Sequence, residues 1–379
     1  MILNGIDRIS EYEPLFRGKR IGLITSPTGL SAEFRSTIDI LHERFGLSAL
    51  FSPEHGVRGD MAAGALVDTY EDPATGVPVY SLYRKDSKRL SKQMLDAVDI
   101  VVYDIQDVGT RYYTFIYTML FALEDCAGAG KPFVVLDRYN PLDGNTVEGN
   151  VLKEKYSSFV GNYPLAVRYG LTGGEVAVMA NEERGWNAEL HVIKCEGWSR
   201  EMTFSDTGKV WIPPSMGIPR FHIALLYPGT CLFEGTNLSE GRGTTAPFEM
   251  IGAPFVDSEL LAREMNGQKL PGVHFRPVFF KPTFSKHEGE LCGGVYVHVL
   301  DEKAVRPVEL GVRLLFTVQR LFEPFAFLPP VKENGRPFID LLGGDNVYRD
   351  ESVNVSELLE QFREESRLFA VRKKRFHLY

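Results

Sequence analysis

The feature that most constrains the fold is an alternation, over the first 200 residues, of short apolar runs with segments of helical periodicity. The apolar runs are RIGLIT (20–25), LSALFS (47–52), PVYSL (78–82), DIVVYD (99–104) and PFVVLD (132–137). The helical segments between and after them are 36–45, 91–97, 116–127 and 172–183. Strands that are apolar throughout and are separated by helices indicate a parallel sheet covered on both faces. The sequence therefore predicts an α/β fold with a doubly wound parallel sheet.

Beyond about Trp211 the pattern changes, because glycine and proline become denser and a long loop is predicted over 227–247. An apparent strand follows at 293–300, with helices at 304–322 and 355–369. A chain of 379 residues also exceeds the size at which single cores stop growing, about 250–300 residues. We therefore predict two domains, an α/β domain over 1–210 and a smaller α+β domain over 211–379 that closes a cleft against it.

Parallel sheets bind ligands beyond the carboxyl ends of their strands, so the segments that follow the strands are the place to look. Those segments are SPTG, SPEHGVRGD, YDIQDVGTR and LDRYNP, and all contain polar side chains beside glycine or proline. Neither a GxGxxG fingerprint after the first strand nor a GxxxxGK[ST] loop is present in the sequence. The sequence therefore does not favour a dinucleotide-binding or P-loop protein.

Glu54 lies just past the second strand, in a loop tightened by Pro53 and Gly56. A carboxyl at a cleft can be partly desolvated, which raises its pKa and suits it to general acid catalysis. His55 and Arg58 add donors beside it. The alternative is a glutamate that only braces the loop.

Asp104, Gln106, Asp107 and Arg111 follow the next long strand and precede a pair of tyrosines. Carboxylate, amide and guanidinium groups beside aromatic faces suit a sugar, and the arginine fork suits a carboxylate. The alternative is an internal Asp–Arg pair that orders the loop.

Asn140 ends the fifth strand segment, and Glu148 follows in a glycine-containing loop that could face the same crevice. The densest polar loop, FEGTNLSEGRGTT (233–245), carries Glu234, Asn237, Ser239 and Arg242 between three glycines. Loops this polar and this rich in glycine favour a functional role over a plain surface loop.

Composition excludes several classes of function. The net charge of −8 argues against a nucleic-acid partner, since the one basic cluster, 372–375, is predicted to be a solvated tail. The eight histidines and four cysteines show no metal-ligand spacing, and no GxSxG elbow marks a serine nucleophile. No run approaches the roughly 18 apolar residues of a membrane span. Without a signal-peptide pattern at its start, the chain as given is expected in the cytoplasm, or in the periplasm or outside the cell if a leader was removed.

Seven stretches together resemble the NamZ-type exo-β-N-acetylmuramidases of peptidoglycan recycling, a bacterial family once described only as a domain of unknown function. They are GLITSPTGL, FSPEHGVRGD, YDIQDVGTRYYTF, VVLDRYNPLDG, YPLAVRYGLTGGEVA, WIPPSMGIP and FEGTNLSEGRGTT. They extend from the first strand into the last third of the chain, so the resemblance covers nearly all of it.

The resemblance implies a Rossmann-like first domain, an active site in the cleft and no nicotinamide cofactor; no other cofactor and no metal is expected. It implies hydrolysis of a terminal N-acetylmuramic acid from the non-reducing end of N-acetylmuramyl–N-acetylglucosamine oligosaccharides. Glu54 matches the family's proposed acid/base. For a second catalytic carboxylate Glu148 is the first choice, and the competitors are Asp104, Asp107, Glu234 and Glu240.

For the cation that pairs with the lactyl carboxylate of muramic acid, the candidates in order are Arg111, Arg58 and Arg242. A non-catalytic protein that binds sugars or muropeptides is the competing interpretation.

Overall fold

A computed structural model describes residues 2–54, 56–59, 69–84, 87–331, 335–350 and 352–379. Its strands, in chain order, are β1 (Arg20–Thr25), β2 (Gly46–Ser52), β3 (Tyr70–Glu71), β4 (Pro78–Ser81), β5 (Ile100–Asp104), β6 (Phe133–Leu136), β7 (Glu148–Val151), β8 (Ala166–Arg168), β9 (Leu190–Ile193), β10 (Met250–Ala253), β11 (Val273–Phe280) and β12 (Cys292–Val299). Its α-helices are α1 (Thr37–Arg44), α2 (Lys92–Asp96), α3 (Phe115–Gly128), α4 (Gly173–Glu183), α5 (Phe221–Thr230), α6 (Ser258–Gly267), α7 (Pro307–Leu321), α8 (Phe338–Gly343) and α9 (Val355–Lys373).

Seven strands form the main sheet, in the order β3-β4-β2-β1-β5-β6-β9. All neighbours are parallel except β3 and β4, which pair antiparallel at one edge. The central strands are apolar because both of their faces are covered: every residue of β5 and β6 is buried. Burying each Val, Leu or Ile side chain stabilises the fold by about 1.5–3 kcal/mol relative to leaving it exposed. The predicted mostly parallel α/β sheet is confirmed.

The order of the strands reverses between β1 and β5. From β1 the chain moves to β2 on one side, and it later returns to place β5 on the other side. Such a switch point leaves a crevice at the carboxyl ends of the two strands, because their following loops turn away from each other. The loops after β1, β2, β5 and β6 therefore open on this end of the sheet.

The second part of the chain is built on a smaller antiparallel sheet in the order β10-β12-β11. Helix α6 packs on this sheet, and α5 packs against α7. After these elements the chain returns to its first half, where the last helix, α9, packs on β7. The domain division at residue 210 remains a prediction.

Two local predictions were wrong. The first half of the predicted loop 227–247 is helical: α5 extends to Thr230, and a 3-10 turn follows over Cys231–Gly235. The Pro-Gly pair at 228–229 suggests a turn, but the glycine has another reason. Helix α7 packs so closely against α5 that a Cβ at Gly229 would lie 1.8 Å from the Pro307 carbonyl oxygen.

The basic cluster near the end of the chain is also not a solvated tail. Lys373 is buried and donates to the Gly144 and Gly170 carbonyls at 2.6 and 2.5 Å. Among the described residues, no helix has both the length and the apolar character needed to span a bilayer.

Candidate active site

A cavity of about 850 Å³ is lined by Glu54 and by five residues of the polar loop 233–245, namely Glu234, Glu240, Arg242, Gly243 and Thr244. One wall comes from the loops after β2 and β4 and from the start of α3; the other comes from the second half of the chain, including 215–218 and 284–286. A cavity of this volume that combines aromatic surface with a few convergent charges is typical of a small-molecule site.

Glu54 is half-buried at the first wall. Thr114 immediately precedes α3, and its hydroxyl donates to Glu54 Oε2 at 3.1 Å instead of capping the helix backbone. Burial raises the pKa of the neighbouring Tyr83 hydroxyl, and the charge of Glu54 and a hydrogen bond to it raise that pKa further. Glu54 is therefore held in place by one hydroxyl and lies beside a second.

The opposite wall carries a network of four charged side chains. Arg242 donates from Nε and Nη2 to Glu234 Oε1, at 2.9 and 2.5 Å, and its Nε lies 3.3 Å from Glu240 Oε1. Lys286 Nζ lies 2.7 Å from Glu240 Oε2. Burial lowers the pKa of Arg242, but the charges of Glu234 and Glu240 outweigh it and the net pKa is raised. The arginine is therefore firmly charged.

The two cations of this network differ in what they can offer a ligand. Lys286 donates to the Phe233 and Thr236 carbonyls at 2.7 and 3.0 Å, and its ammonium group also forms an ion pair with Glu240, so its charge and two of its N–H groups are engaged. Arg242 Nη1 makes no hydrogen bond with the described residues and lies against Gly217, where a Cβ would be 3.1 Å away. Of the two cations, Arg242 is therefore the one whose Nη1 can donate a hydrogen bond to a ligand.

The rest of the lining is largely aromatic or apolar. The rings of Tyr113 and Tyr227 meet edge to face, with centroids 6.1 Å apart. Phe284 and Met216 also line the cavity but leave 57% and 77% of their surface exposed. Apolar surface at the mouth of a polar cavity suits a ligand that extends out of it.

Glu148 does not line this cavity, contrary to the expectation that it faces the same crevice. It is 9% exposed, and its Oε1 lies 2.8 Å from Arg168 Nη1. Burial raises the pKa of its carboxyl, although Arg168 opposes this. It belongs to a separate groove beside α7 and α9, where the paired carboxylate anchors the β7–β8 hairpin.

Arg111 is also not placed to bind a ligand, since it is fully buried. Its guanidinium donates to the carbonyls of Asn150 and Leu165, at 2.7 and 3.1 Å, and of Leu342 and Gly343, at 3.1 and 2.9 Å. It joins the β7–β8 hairpin to the end of α8. Among the described residues Arg111 also forms no pair with an aspartate, because its hydrogen-bond partners are carbonyl groups.

The other polar residues after β5 are internal. Asp104 is buried and paired with Arg138, whose Nε lies 2.6 Å from Oδ1. Asp107 is buried and accepts from Gly109 N at 2.7 Å and from the Tyr169 hydroxyl. Burial raises the pKa of Asp107 to about 6, and these donors lower it only in part.

The amides of the predicted site also bond within the protein. Gln106 Nε2 donates to the Asp107 and Tyr139 carbonyls, at 2.9 and 2.8 Å, and Asn140 Nδ2 donates to Leu171 O at 2.9 Å. Gln106 borders a second, smaller cavity and not that of Glu54.

The remaining candidates are distributed as follows. Arg58 pairs with Asp72 at 2.6 Å and does not line the cavity. Asn237 and Ser239 fold their own loop: Asn237 Nδ2 donates to Pro324 O at 2.8 Å, and Ser239 Oγ accepts from Gly241 N at 3.2 Å. His55 lies outside the described residues. The structure thus brings together Glu54, Glu234, Glu240 and Arg242.

Sequence reasoning missed three parts of the cavity: Tyr83, Lys286 and the segment Ser215–Ile218. The WIPPSMGIP stretch contains that segment, but its side chains carry no charge that would single them out. Lys286 lies between Ser285 and His287, which both have positive φ, 73° and 57°. No sequence pattern predicts a turn in which such non-glycine residues adopt a positive φ. Within the described ranges, no three His, Cys, Asp or Glu side chains cluster as metal ligands.

Comparison with known proteins identifies relatives along the whole chain. Residues 21–222 match the family model described as "Exo-beta-N-acetylmuramidase NamZ, N-terminal", and residues 225–379 match its C-terminal counterpart. The chain is 44% identical, over 385 aligned positions, to the peptidoglycan β-N-acetylmuramidase NamZ of Bacillus subtilis (strain 168); the match covers 100% of this chain and 91% of that protein.

Two crystal structures of DUF1343 family proteins from Bacteroides fragilis NCTC 9343 share the fold. One has a TM-score of 0.89 at 37% identity, and the other has 0.79 at 30%. In both cases the match covers 100% of this chain and 99% of the other.

Proposed function

The chain belongs to the NamZ family of peptidoglycan exo-β-N-acetylmuramidases, and from this premise we propose which bond it cleaves and with which residues. The protein is a glycoside hydrolase of the cell wall. Its substrates are peptidoglycan-derived N-acetylmuramyl–N-acetylglucosamine oligosaccharides. It releases the terminal N-acetylmuramic acid from their non-reducing end, within the Glu54 cavity.

The observation that carries the proposal is the placement of Glu54 in the largest of the described cavities, opposite a second group of carboxylates. Glycosidic hydrolysis uses one carboxylic acid to protonate the leaving oxygen and another group to assist at the anomeric carbon. Glu54 is assigned the first role, and the Thr114 and Tyr83 hydroxyls hold it in position. The bond from the anomeric carbon to the bridging oxygen then breaks, and water supplies the new hydroxyl.

Glu234 is assigned the second role. Its side chain is 20% exposed, whereas that of Glu240 is 2% exposed and is held by both Lys286 and Arg242. The more exposed carboxylate can reach the positive charge that develops at the anomeric carbon. Glu240 then positions Arg242 and Lys286.

Arg242 is assigned to the lactyl carboxylate, which distinguishes N-acetylmuramic acid from N-acetylglucosamine. Burying that carboxylate without a partner would be costly, so selectivity for it requires a placed cation. Arg111 and Arg58 are engaged elsewhere, as described above. Arg242 lines the cavity, and its Nη1 makes no hydrogen bond within the described part of the chain, so it can add a charge-assisted hydrogen bond.

Analysis of the products from defined glycan strands tests the direction of attack. Strands with N-acetylmuramic acid at the non-reducing end should release that free sugar first, while strands capped there by N-acetylglucosamine should remain intact. The release of internal oligosaccharides from capped strands would contradict the proposal.

A further inference from the structure

A second cavity, of about 280 Å³, lies at the switch point of the main sheet. Its lining includes Thr28 and Leu30 from the loop after β1, Gln106 from the loop after β5, and Tyr139 from the loop after β6. The segment 204–212 covers it. It shares no lining residue with the Glu54 cavity, so the catalytic proposal leaves it unused.

Two polar side chains that line this cavity lack partners in the described part of the chain. Asn4 is 4% exposed; its side chain faces the backbone N–H of Asp7 in a capping-box arrangement, but its Oδ1 does not reach hydrogen-bond geometry with it or with any other described residue. Lys209 is half-buried, and its amino group makes no hydrogen bond or ion pair. Asp7, whose two oxygens accept from the backbone N–H groups of Asn4 and Ala32 at 2.8 and 2.6 Å, compensates Lys209 only in part: burial lowers the pKa of Lys209, and the charge of Asp7 opposes that shift without reversing it.

An unpaired buried amide is costly unless something satisfies it. Lys209 and Asn4 Oδ1 line one small cavity and have no hydrogen-bond partner among the described residues. Together they indicate a polar ligand with an anionic group. The neighbouring cation Arg138 is not available for this, since its Nε and Nη2 lie 2.6 and 2.9 Å from Asp104.

The same cavity has aromatic walls. Trp211, Tyr139 and Phe204 line it, and Phe34 lies at its rim with 59% of its surface exposed. The indole N–H of Trp211 donates to Ile218 O at 3.0 Å, so this side chain offers the cavity ring surface and not a donor. Aromatic faces of this kind suit the C–H face of a sugar ring.

We propose that this switch-point cavity is a second binding site, for a small sugar acid. Lys209 pairs with the carboxylate, Asn4 bonds an acetamido or hydroxyl group, and the aromatic side chains cover the ring. Free N-acetylmuramic acid has this chemistry; its choice as the natural ligand rests on the proposed function, of which it is the product.

The two cavities have one chain segment in common. Trp211 and Ile212 line the second cavity, while Ser215–Ile218 lines the first. The Trp211 indole donates to Ile218 O, which belongs to the segment that lines the first cavity. A ligand that packs against Trp211 changes the environment of this indole, so tryptophan fluorescence reports occupancy of the second cavity.

Isothermal titration of the full chain with N-acetylmuramic acid tests the proposal. We expect two sites in the wild type. Lys209→Gln should weaken one of them by roughly 10- to 100-fold, as expected for a hydrogen bond to a charged group, and Arg242→Gln should weaken the other. Lys303→Gln is the matched control, since that exposed lysine contacts Asp206 beside the same segment but does not line the cavity.

Phe34→Ala provides a second variant that removes only exposed ring surface and should also weaken the Lys209-dependent site. N-acetylglucosamine, which lacks the carboxylate, should bind that site at least tenfold more weakly. A single site that is insensitive to Lys209→Gln would overturn the proposal, as would equally tight Lys209-dependent binding of inorganic phosphate. Failure of hydrolysis would leave this binding unchanged, so the two proposals fail separately.

Discussion

Replacing Arg111 should destabilise the protein without changing which sugar it prefers. In Arg111→Met the side chain keeps its apolar length but loses the donors to four buried carbonyl groups. Each buried polar group left unsatisfied costs about 1–3 kcal/mol. Leu165 O and Gly343 O keep a donor each, from Leu152 N and Asn150 Nδ2, so two carbonyls lose a hydrogen bond that nothing replaces. We therefore expect a net loss of about 2–5 kcal/mol in the free energy of unfolding.

Urea unfolding followed by tryptophan fluorescence measures this loss, and kcat/KM for a β-N-acetylmuraminide and a β-N-acetylglucosaminide measures selectivity. Arg111→Lys should recover part of the stability, because an ammonium group can satisfy some of the carbonyls. The ratio of the two kcat/KM values should stay at the wild-type level in both variants. A variant of wild-type stability whose ratio falls severalfold would show that Arg111 contacts substrate, and the reasoning would be refuted.

Three further predictions concern selectivity, pH and the cavity mouth. Arg242→Gln should lower kcat/KM for the muraminide about 10-fold or more relative to the glucosaminide; an unchanged ratio would remove Arg242 from carboxylate recognition. The pKa of Asp107 is raised to about 6, so its contribution to stability is largest at acidic pH and is lost as pH rises through 6. Asp107→Asn should therefore reduce the fall in unfolding free energy between pH 5 and pH 8 by roughly 1–1.5 kcal/mol, and an undiminished fall would contradict the assignment. Phe284→Ala should raise KM for a disaccharide substrate, whereas Phe279→Ala should not, since Phe279 is 67% exposed against 57% for Phe284 but lies outside the cavity lining; equal effects would argue against a role for Phe284.

The main sheet and the position of Glu54 could be predicted because both depend on local patterns. Apolar runs such as RIGLIT and PFVVLD can be buried on both faces only in a covered parallel sheet. The residues just after such strands lie at the carboxyl-end edge of the sheet, where ligands bind. Glu54 follows β2 and is therefore expected at this edge. The glycine-rich pattern of the polar loop 233–245 likewise predicts a functional role, and its Glu234 and Arg242 line the cavity, whereas Asn237 and Ser239 do not.

The identity of hydrogen-bond partners could not be predicted in the same way. The Arg111 guanidinium bonds to carbonyls of 342–343, more than 200 positions away, and nothing in the DIQDVGTR motif specifies a backbone acceptor. Glu148 is the first residue of β7, and Arg168 on the adjacent strand neutralises it. A charged residue after a strand is therefore a candidate, and only tertiary packing decides whether it meets a ligand or a neighbour.

The most direct test of the central claim compares Glu54→Gln with Glu148→Gln. Both changes remove a carboxylate and keep the shape of the side chain, but only Glu54 lines the proposed catalytic cavity. With a chromogenic β-N-acetylmuraminide, Glu54→Gln should fold normally and lose about 10²–10⁴ in kcat, the usual contribution of a general acid. Glu148→Gln should keep kcat within a few-fold of wild type. The opposite result, with Glu54→Gln active and Glu148→Gln inactive yet folded, would contradict the assignment of the active site.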